Sequence, residues 1–306
     1  MKQSVHHDAE MKASGASTDC KGYLQPCCHG RDEVVRSEYR QTVQRLVTAL
    51  RLLTTGIAAL VGAGCGFAAR AAVVTVEPNL DNSMYSESDN SNALGQLFAG
   101  RTGNAGGLRR ALMRFDIAGG GIPAGATINS VTLALTVSNN PSGNSTPAVF
   151  ELHPVFAAWG EGTTNSVPGG QGDPATPGDA TWNFRFFNTS SWTTPGGDFG
   201  SLSGTASVGN AVGTTYTFAS QSGMVADVQG WLNAPASNFG WLLKSASETP
   251  GTITARGFFS AEAFSASQRP TLTVDFTPVP EPGTFSLLAV ASVAVFTFRR
   301  RGRVAA

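Results

Sequence analysis

The chain is 306 residues long and formally neutral, with 21 basic and 21 acidic side chains, 36 glycines, 16 prolines and four cysteines. Within residues 73–277, eight Lys and Arg face fourteen Asp and Glu, a net charge of −6 that argues against nucleic acid as a partner. That stretch contains no cysteine, so an exported form of it cannot rely on disulfides and must bury a sizeable core of its own.

Residues 1–44 are polar and unpatterned, and read as an over-long start or an extended n-region rather than a domain. They hold Cys20, Cys27, Cys28, His6, His7 and His29, yet in a spacing that lacks the two matched ligand pairs of a zinc site. Residues 45–72 read RLVTALRLLTTGIAALVGAGCGFAARAA, arginines before an apolar run that ends in small residues. That is the build of a secretory signal peptide, and Ala69-Arg70-Ala71 supplies an A-x-A pattern with the cut after Ala71 or Ala72. Cys65 leaves a lipoprotein alternative, against which stands Gly62 where the lipidation box wants leucine.

Beyond the cut the sequence reads as short strands joined by Gly, Ser, Asn and Pro loops. Val131, Leu133, Leu135 and Val137 alternate with Thr132, Ala134 and Thr136, and Ala111, Met113, Phe115 and Ile117 alternate in the same way upstream. Further strands are expected at residues 73–77, 149–156, 214–218, 239–244, 252–259 and 270–276. Together these predict an all-β domain over residues 73–277, a jelly-roll-like antiparallel β-sandwich. SGMVADVQGWLNAP breaks the pattern: Met224, Val225, Val228, Trp231 and Leu232 recur at helical spacing and predict one short helix, stopped at Asn233-Ala234-Pro235.

Five tryptophans are candidates for stacking on sugar rings. Trp231 lies on the helical stripe and Trp241 in an apolar run, which assigns both to the core, whereas Trp182 and Trp192 flank NFRFFNTSS in a long Gly/Pro-rich insertion where recognition residues tend to sit. Arg185 between them can grip a uronic acid carboxylate bidentately. No cofactor is expected beyond a structural Ca2+, for which Asp81 and Asp89, with Asp116, are candidate ligands. Asp116 has a competing reading as a strand-face partner of Arg114. Catalysis is not expected: His153 has no serine elbow beside it, no cysteine nucleophile follows the signal peptide, and Glu151 and Glu161, which could form an acid pair for glycoside hydrolysis, read more simply as surface residues or loop hydrogen-bonders.

Asp81-Asn82 with Tyr85, SNALGQLFAGR, LRRALMRFDIAGGGIPAGATINSVTLALTV, FAAWGEGTT, ATWNFRFFNTSSWTTPGGDF, VQGWLNAPASNFGWLLKS and RPTLTVDF resemble the DNRLRE-type domain. This family is related to a carbohydrate-binding module of bacterial alginate lyases, and the resemblance implies a secreted β-sandwich that binds polysaccharide without catalysis. A structural biofilm-matrix or adhesin protein with no defined sugar site is the alternative, and a polysaccharide lyase or glycosidase accessory comes third.

Residues 278–306 close the chain with a rigid Val279-Pro280-Glu281-Pro282 punctuator, an uncharged run FSLLAVASVAVFTF, and Arg299, Arg300, Arg301 and Arg303. Arginines clustered behind an apolar run mark the cytoplasmic flank of a membrane segment. The order of these parts resembles the PEP-CTERM sorting signal of Gram-negative bacteria. It implies a membrane-sorting helix transiently anchored in the inner membrane, an exosortase-type membrane protease as partner, and release to the cell surface or an exopolysaccharide matrix.

Overall fold

The computed structural model describes residues 38–51, 70–103, 107–140, 146–166 and 169–279. The chain divides into two compact units, Met1–Gly66 and Phe67–Ala306. In the first, residues 38–51 form a helix, α1, with exposed side chains. Its Thr42 and Thr48 hydroxyls donate to the carbonyls of Glu38 and Gln44, one turn back. The polar start is therefore helical from residue 38, and α1 runs across the boundary expected between residues 44 and 45. The other residues of those two segments up to residue 69 lie outside the described ones.

The second unit opens with β1 (Ala72–Val76) and β2 (Pro78–Tyr85), followed by β3 (Asn90–Ser91), β4 (Leu97–Arg101), β5 (Leu108–Phe115), β6 (Thr127–Asn139) and β7 (Ala148–Pro154). A long insertion carries the very short β8 (Asp173–Pro174), β9 (Phe184–Phe186) and β10 (Ser190–Ser191). Then come β11 (Gly204–Val208), β12 (Thr215–Phe218), the helix α2 (Ser222–Asn233), β13 (Trp241–Ser245), β14 (Arg256–Phe258) and β15 (Thr271–Thr277). β1 starts at Ala72, paired with Phe276, so a cut after Ala71 leaves the strand whole.

Pairing in the main sheet follows β1-β15-β6-β14-β4-β5-β13-β7-β11, with β12 added to β6 and β2 to β5, while β3-β8 and β9-β10 form two separate two-stranded sheets. Among the described residues these strand pairs are antiparallel. The sheet curls, because the alternating residues of distant strands meet in one core: Val131, Leu133, Leu135 and Val137 of β6, Ala111, Met113 and Phe115 of β5, and Leu272, Val274 and Phe276 of β15. Each Val, Leu, Met or Phe side chain among them removed from water contributes about 1.5–3 kcal/mol, which is how a chain without disulfides in this unit holds together. As the spacing predicts, Met224, Val228, Trp231 and Leu232 form the buried stripe of α2, and Trp231 meets Trp241 edge-on at 4.7 Å between centroids.

β13 departs from simple alternation. Trp241 and Leu243 enter the main core, while Leu242 joins a second cluster with Met84, Leu112, Val155, Trp159, Ala180 and Trp192. The insertion after β7 thus covers the other face of this arm and gives the domain a second, smaller core. β2, β4 and β11 are strands that alternation did not announce. β2 is the clearest case, since it buries Asp81, Asn82 and Ser83. The strand expected over residues 252–259 shrinks to Arg256–Phe258. Among the described residues no helix is long and apolar enough to cross a membrane; the expected sorting helix lies outside them.

Candidate functional site

Three loops line a groove of about 270 Å³: residues 92–96 after β3, residues 165–166, and residues 259–263 after β14. Asn92 ties two walls together, donating to the Gln96 carbonyl at 2.7 Å and accepting from the Ser166 amide at 3.0 Å. Gly95 closes this loop because a Cβ there would stand 2.1 Å from Asn92 Oδ1. Amides and hydroxyls from Gln96, Asn165, Ser166 and Ser260 share the lining with Leu94, Phe98 and Phe259. Gln96 Oε1 is enclosed with no hydrogen-bond partner. The loop that supplies Ser260, Glu262 and Ala263 continues into Phe264, a fully exposed aromatic ring.

Beside this groove stands a group of carboxylates. Among the described residues, Asp81, Glu161 and Glu262 bring one carboxylate oxygen each to within 4.8 Å of the others. Asp81 is sealed from solvent at the middle of β2, Glu161 is half-buried and Glu262 is exposed. The Asp81 amide donates to Glu161 Oε1 at 2.8 Å, and the Ala261 amide donates to Asp81 Oδ2 at 2.8 Å. Burial, then the neighbouring Glu262 charge, pushes the Asp81 carboxyl well above the usual carboxylate range. Burial raises Glu161 as well. Asn82, the next residue, anchors the surroundings: its Oδ1 accepts from the amides of Ser83 and Asn92 and the Ser91 hydroxyl, and its Nδ2 donates to the Glu161 carbonyl at 2.8 Å.

Asp89, the other candidate ligand, is not part of this group. Asp89 Oδ1 instead accepts from Asn183 Nδ2 at 2.9 Å and the Thr181 hydroxyl at 3.3 Å, so it pins the aromatic insertion. Asp116 closes its own turn by accepting from the Gly119 amide at 2.9 Å, while Arg114 reaches Asn79 rather than Asp116.

The insertion that carries Trp182, Arg185 and Trp192 is built inward. Trp192 is only 5% exposed, and its indole N–H donates to the Thr181 carbonyl at 2.9 Å, so it is a core residue and not an open platform. Trp182 is half-buried, with the Arg110 guanidinium 4.7 Å over its ring. Arg110 is itself held by a bidentate pair with Glu248, at 2.7 and 3.0 Å, and by the Gly196 carbonyl. Arg185 donates to the Ala158 carbonyl at 3.1 Å and lies over Phe186. Two further aspartates staple the loop. Asp198 accepts from the amides of Thr193 and Thr194 at 2.9 Å, and buried Asp179 accepts from the amides of Thr163 and Thr176 and the Thr164 hydroxyl. Gly162 permits that approach, with φ +82° and no room for a Cβ beside Asp179.

The two acid-pair candidates have different partners. Glu151 on β7 meets Lys244 at 2.9 Å and His153 at 3.3 Å. Burial pushes its carboxyl up, but hydrogen bonds and charge from Lys244 and His153 outweigh that and hold it below the usual range. Glu161 belongs to the carboxylate group with Asp81.

The described part of the tail ends at Val279. Comparison with known proteins bears on the segment beyond it. A family model for the PEP-CTERM protein-sorting motif matches residues 278–301. The tail is a PEP-CTERM motif. It implies that an exosortase, a membrane protease, processes the chain, and that the protein is exported and transiently anchored in a membrane before release. Pro280, Glu281, Pro282, Arg299, Arg300 and Arg301 fall inside the match and outside the described residues. A search of curated proteins returned no match.

Proposed function

We propose that this exosortase-sorted protein is a non-catalytic polysaccharide-binding protein of the cell surface or extracellular matrix, built on a jelly-roll-like domain. The observation that carries the reading is the groove. Polar side chains of Gln96, Asn165, Ser166 and Ser260 line it together with Phe259, and Phe264 is exposed on the same loop. Sugar recognition uses this mixture, with polar groups for the hydroxyls and an aromatic face for the C–H side of the ring. Export, which the PEP-CTERM motif implies, and the resemblance of residues 73–277 to the DNRLRE-type domain support the same reading.

The test is retention of the mature exported protein on immobilised acidic and neutral polysaccharides. Wild type is expected to be retained on at least one of them. Asn165→Ala and Phe264→Ala, both at exposed positions, should lose retention at unchanged Tm. Wild-type retention in both variants would reject the groove as the site.

A second reading, a structural matrix or adhesin protein without a defined sugar site, draws on a specific observation. Trp182, Arg185 and Trp192, the residues the sequence offers for gripping a sugar, are engaged within the protein. Failure of the wild-type protein to bind any polysaccharide would favour it.

A further inference from the structure

We propose that Asp81, Glu161 and Glu262 form a binding site for a divalent cation of the calcium class. One oxygen from each lies within 4.8 Å of the others, a spacing that a single ion with metal–oxygen distances of about 2.3–2.6 Å can bridge. All the donors are hard carboxylate oxygens, with no imidazole or thiolate among them, which selects calcium or magnesium over zinc or copper.

An acidic group alone would carry no such claim, since exposed carboxylates often gather without an ion. The independent observation is Asp81 itself. It has no exposed surface, its Oδ2 is taken by the Ala261 amide at 2.8 Å, and its Oδ1 has no hydrogen-bond partner. Buried polar atoms are almost always satisfied, and an enclosed carboxylate oxygen left without a partner is costly. Here that oxygen belongs to a carboxylate placed beside two more of the same sign. Among the described residues no salt bridge involves any of the three. The charge of Arg114 acts on Glu161, but its guanidinium is engaged by the side-chain amide of Asn79. A bound cation satisfies the Asp81 carboxylate and removes the mutual repulsion in one step.

The three ligands come from different segments: β2, the loop after β7, and the loop after β14. Asp81 and Glu161 are 80 positions apart and are fixed relative to each other by the Asp81 amide on Glu161 Oε1. Glu262 sits on a loop held to β2 through the Ala261 amide. Two prearranged ligands and one exposed closing ligand form a site that admits an ion from solvent. Loop carbonyls and water can complete the six to eight oxygens that calcium takes, and this adaptable surrounding suits calcium better than the strict octahedron of magnesium. Glu262 also lines the groove, so the ion fixes one groove wall, although the site does not depend on the groove binding anything.

The test uses the purified full chain, stripped with EDTA and titrated with calcium chloride alone by calorimetry and thermal unfolding. One saturable site is expected, with Tm rising as calcium rises, and magnesium at the same concentrations should act far more weakly. Glu262→Gln removes one of three like charges, so it should not lower the stripped protein's Tm, and it should weaken calcium binding by about tenfold or more. Asp81→Asn should abolish the saturable site, and Glu262→Gln carries the test should that variant fail to fold. Absence of calcium heat and Tm shift in wild type, a calcium response unchanged in Glu262→Gln, or an equal response to magnesium would each overturn the proposal. No arm contains a polysaccharide, so the outcome is separate from that of the groove.

Discussion

The aromatic insertion and the groove loops differ in how much of their chemistry the fold uses up. In the insertion, Trp192 gives its N–H to the Thr181 carbonyl, Trp182 lies under Arg110, and Asp89, Asp179 and Asp198 hold hydroxyls or backbone amides. Around the groove, Gln96 Oε1 and Asp81 Oδ1 have no partner and the Phe264 ring stands in solvent. On the proposed reading, recognition falls to the groove loops, where the fold leaves groups unengaged, and not to the stretch densest in aromatic residues.

The strongest way to break this comparison is Trp192→Ala. If the insertion is a second core, truncation opens a cavity, removes one internal hydrogen bond and costs roughly 3–5 kcal/mol, read as a lower urea midpoint. A stability within about 0.5 kcal/mol of wild type would return Trp192 to the surface. Arg110→Ala comes next. It strands Glu248 and uncovers Trp182, for a cost of roughly 2 kcal/mol given that the pair is partly screened.

Those two residues also show what could be read in advance. The alternating runs on β6 and β15 and the stripe of α2 were legible because each buries mainly one face, and a period of 2 or 3.6 results from that; the run on β5 kept its period although Leu112 on the opposite face enters the second core. β2 was not, because its buried positions Asp81, Asn82 and Ser83 are polar and carry no hydrophobic signal. Trp192 sits among serines, threonines and glycines that look like an open loop. Only the second core behind β13, a long-range feature, shows that the loop folds inward. The carboxylate group was half legible: Asp81 was a candidate ligand, but its partners Glu161 and Glu262 come from distant segments, so no local spacing could join them.

Asp227 on α2 sharpens the comparison with a smaller, pH-dependent effect, because it is engaged and yet still strained by burial. It accepts from the Ser203 hydroxyl and from Trp241 Nε1 at 2.7 Å, but burial pushes its carboxyl above the ordinary range. The folded protein therefore holds this proton more tightly than the unfolded chain. The resulting stability is present below the unfolded pKa and is lost as pH rises through the folded value. Asp227→Asn keeps an acceptor for Trp241 and does not titrate. Its stability relative to wild type should therefore improve as pH rises from the acid range toward neutral, measured as paired urea midpoints. A difference independent of pH would contradict this account of Asp227.

The smallest effect on stability and the largest on recognition belong to the same residue. Phe264→Ala should change the unfolding free energy by no more than about 0.5 kcal/mol, as for an exposed side chain.

The most direct measurement sets one variant from each region side by side on the polysaccharide that wild type binds, at a temperature where both remain folded. The account predicts that Phe264→Ala elutes early while Trp182→Phe, which keeps a ring under Arg110, is retained like wild type. Loss of retention in Trp182→Phe with full retention in Phe264→Ala would contradict it and move the site to the aromatic insertion.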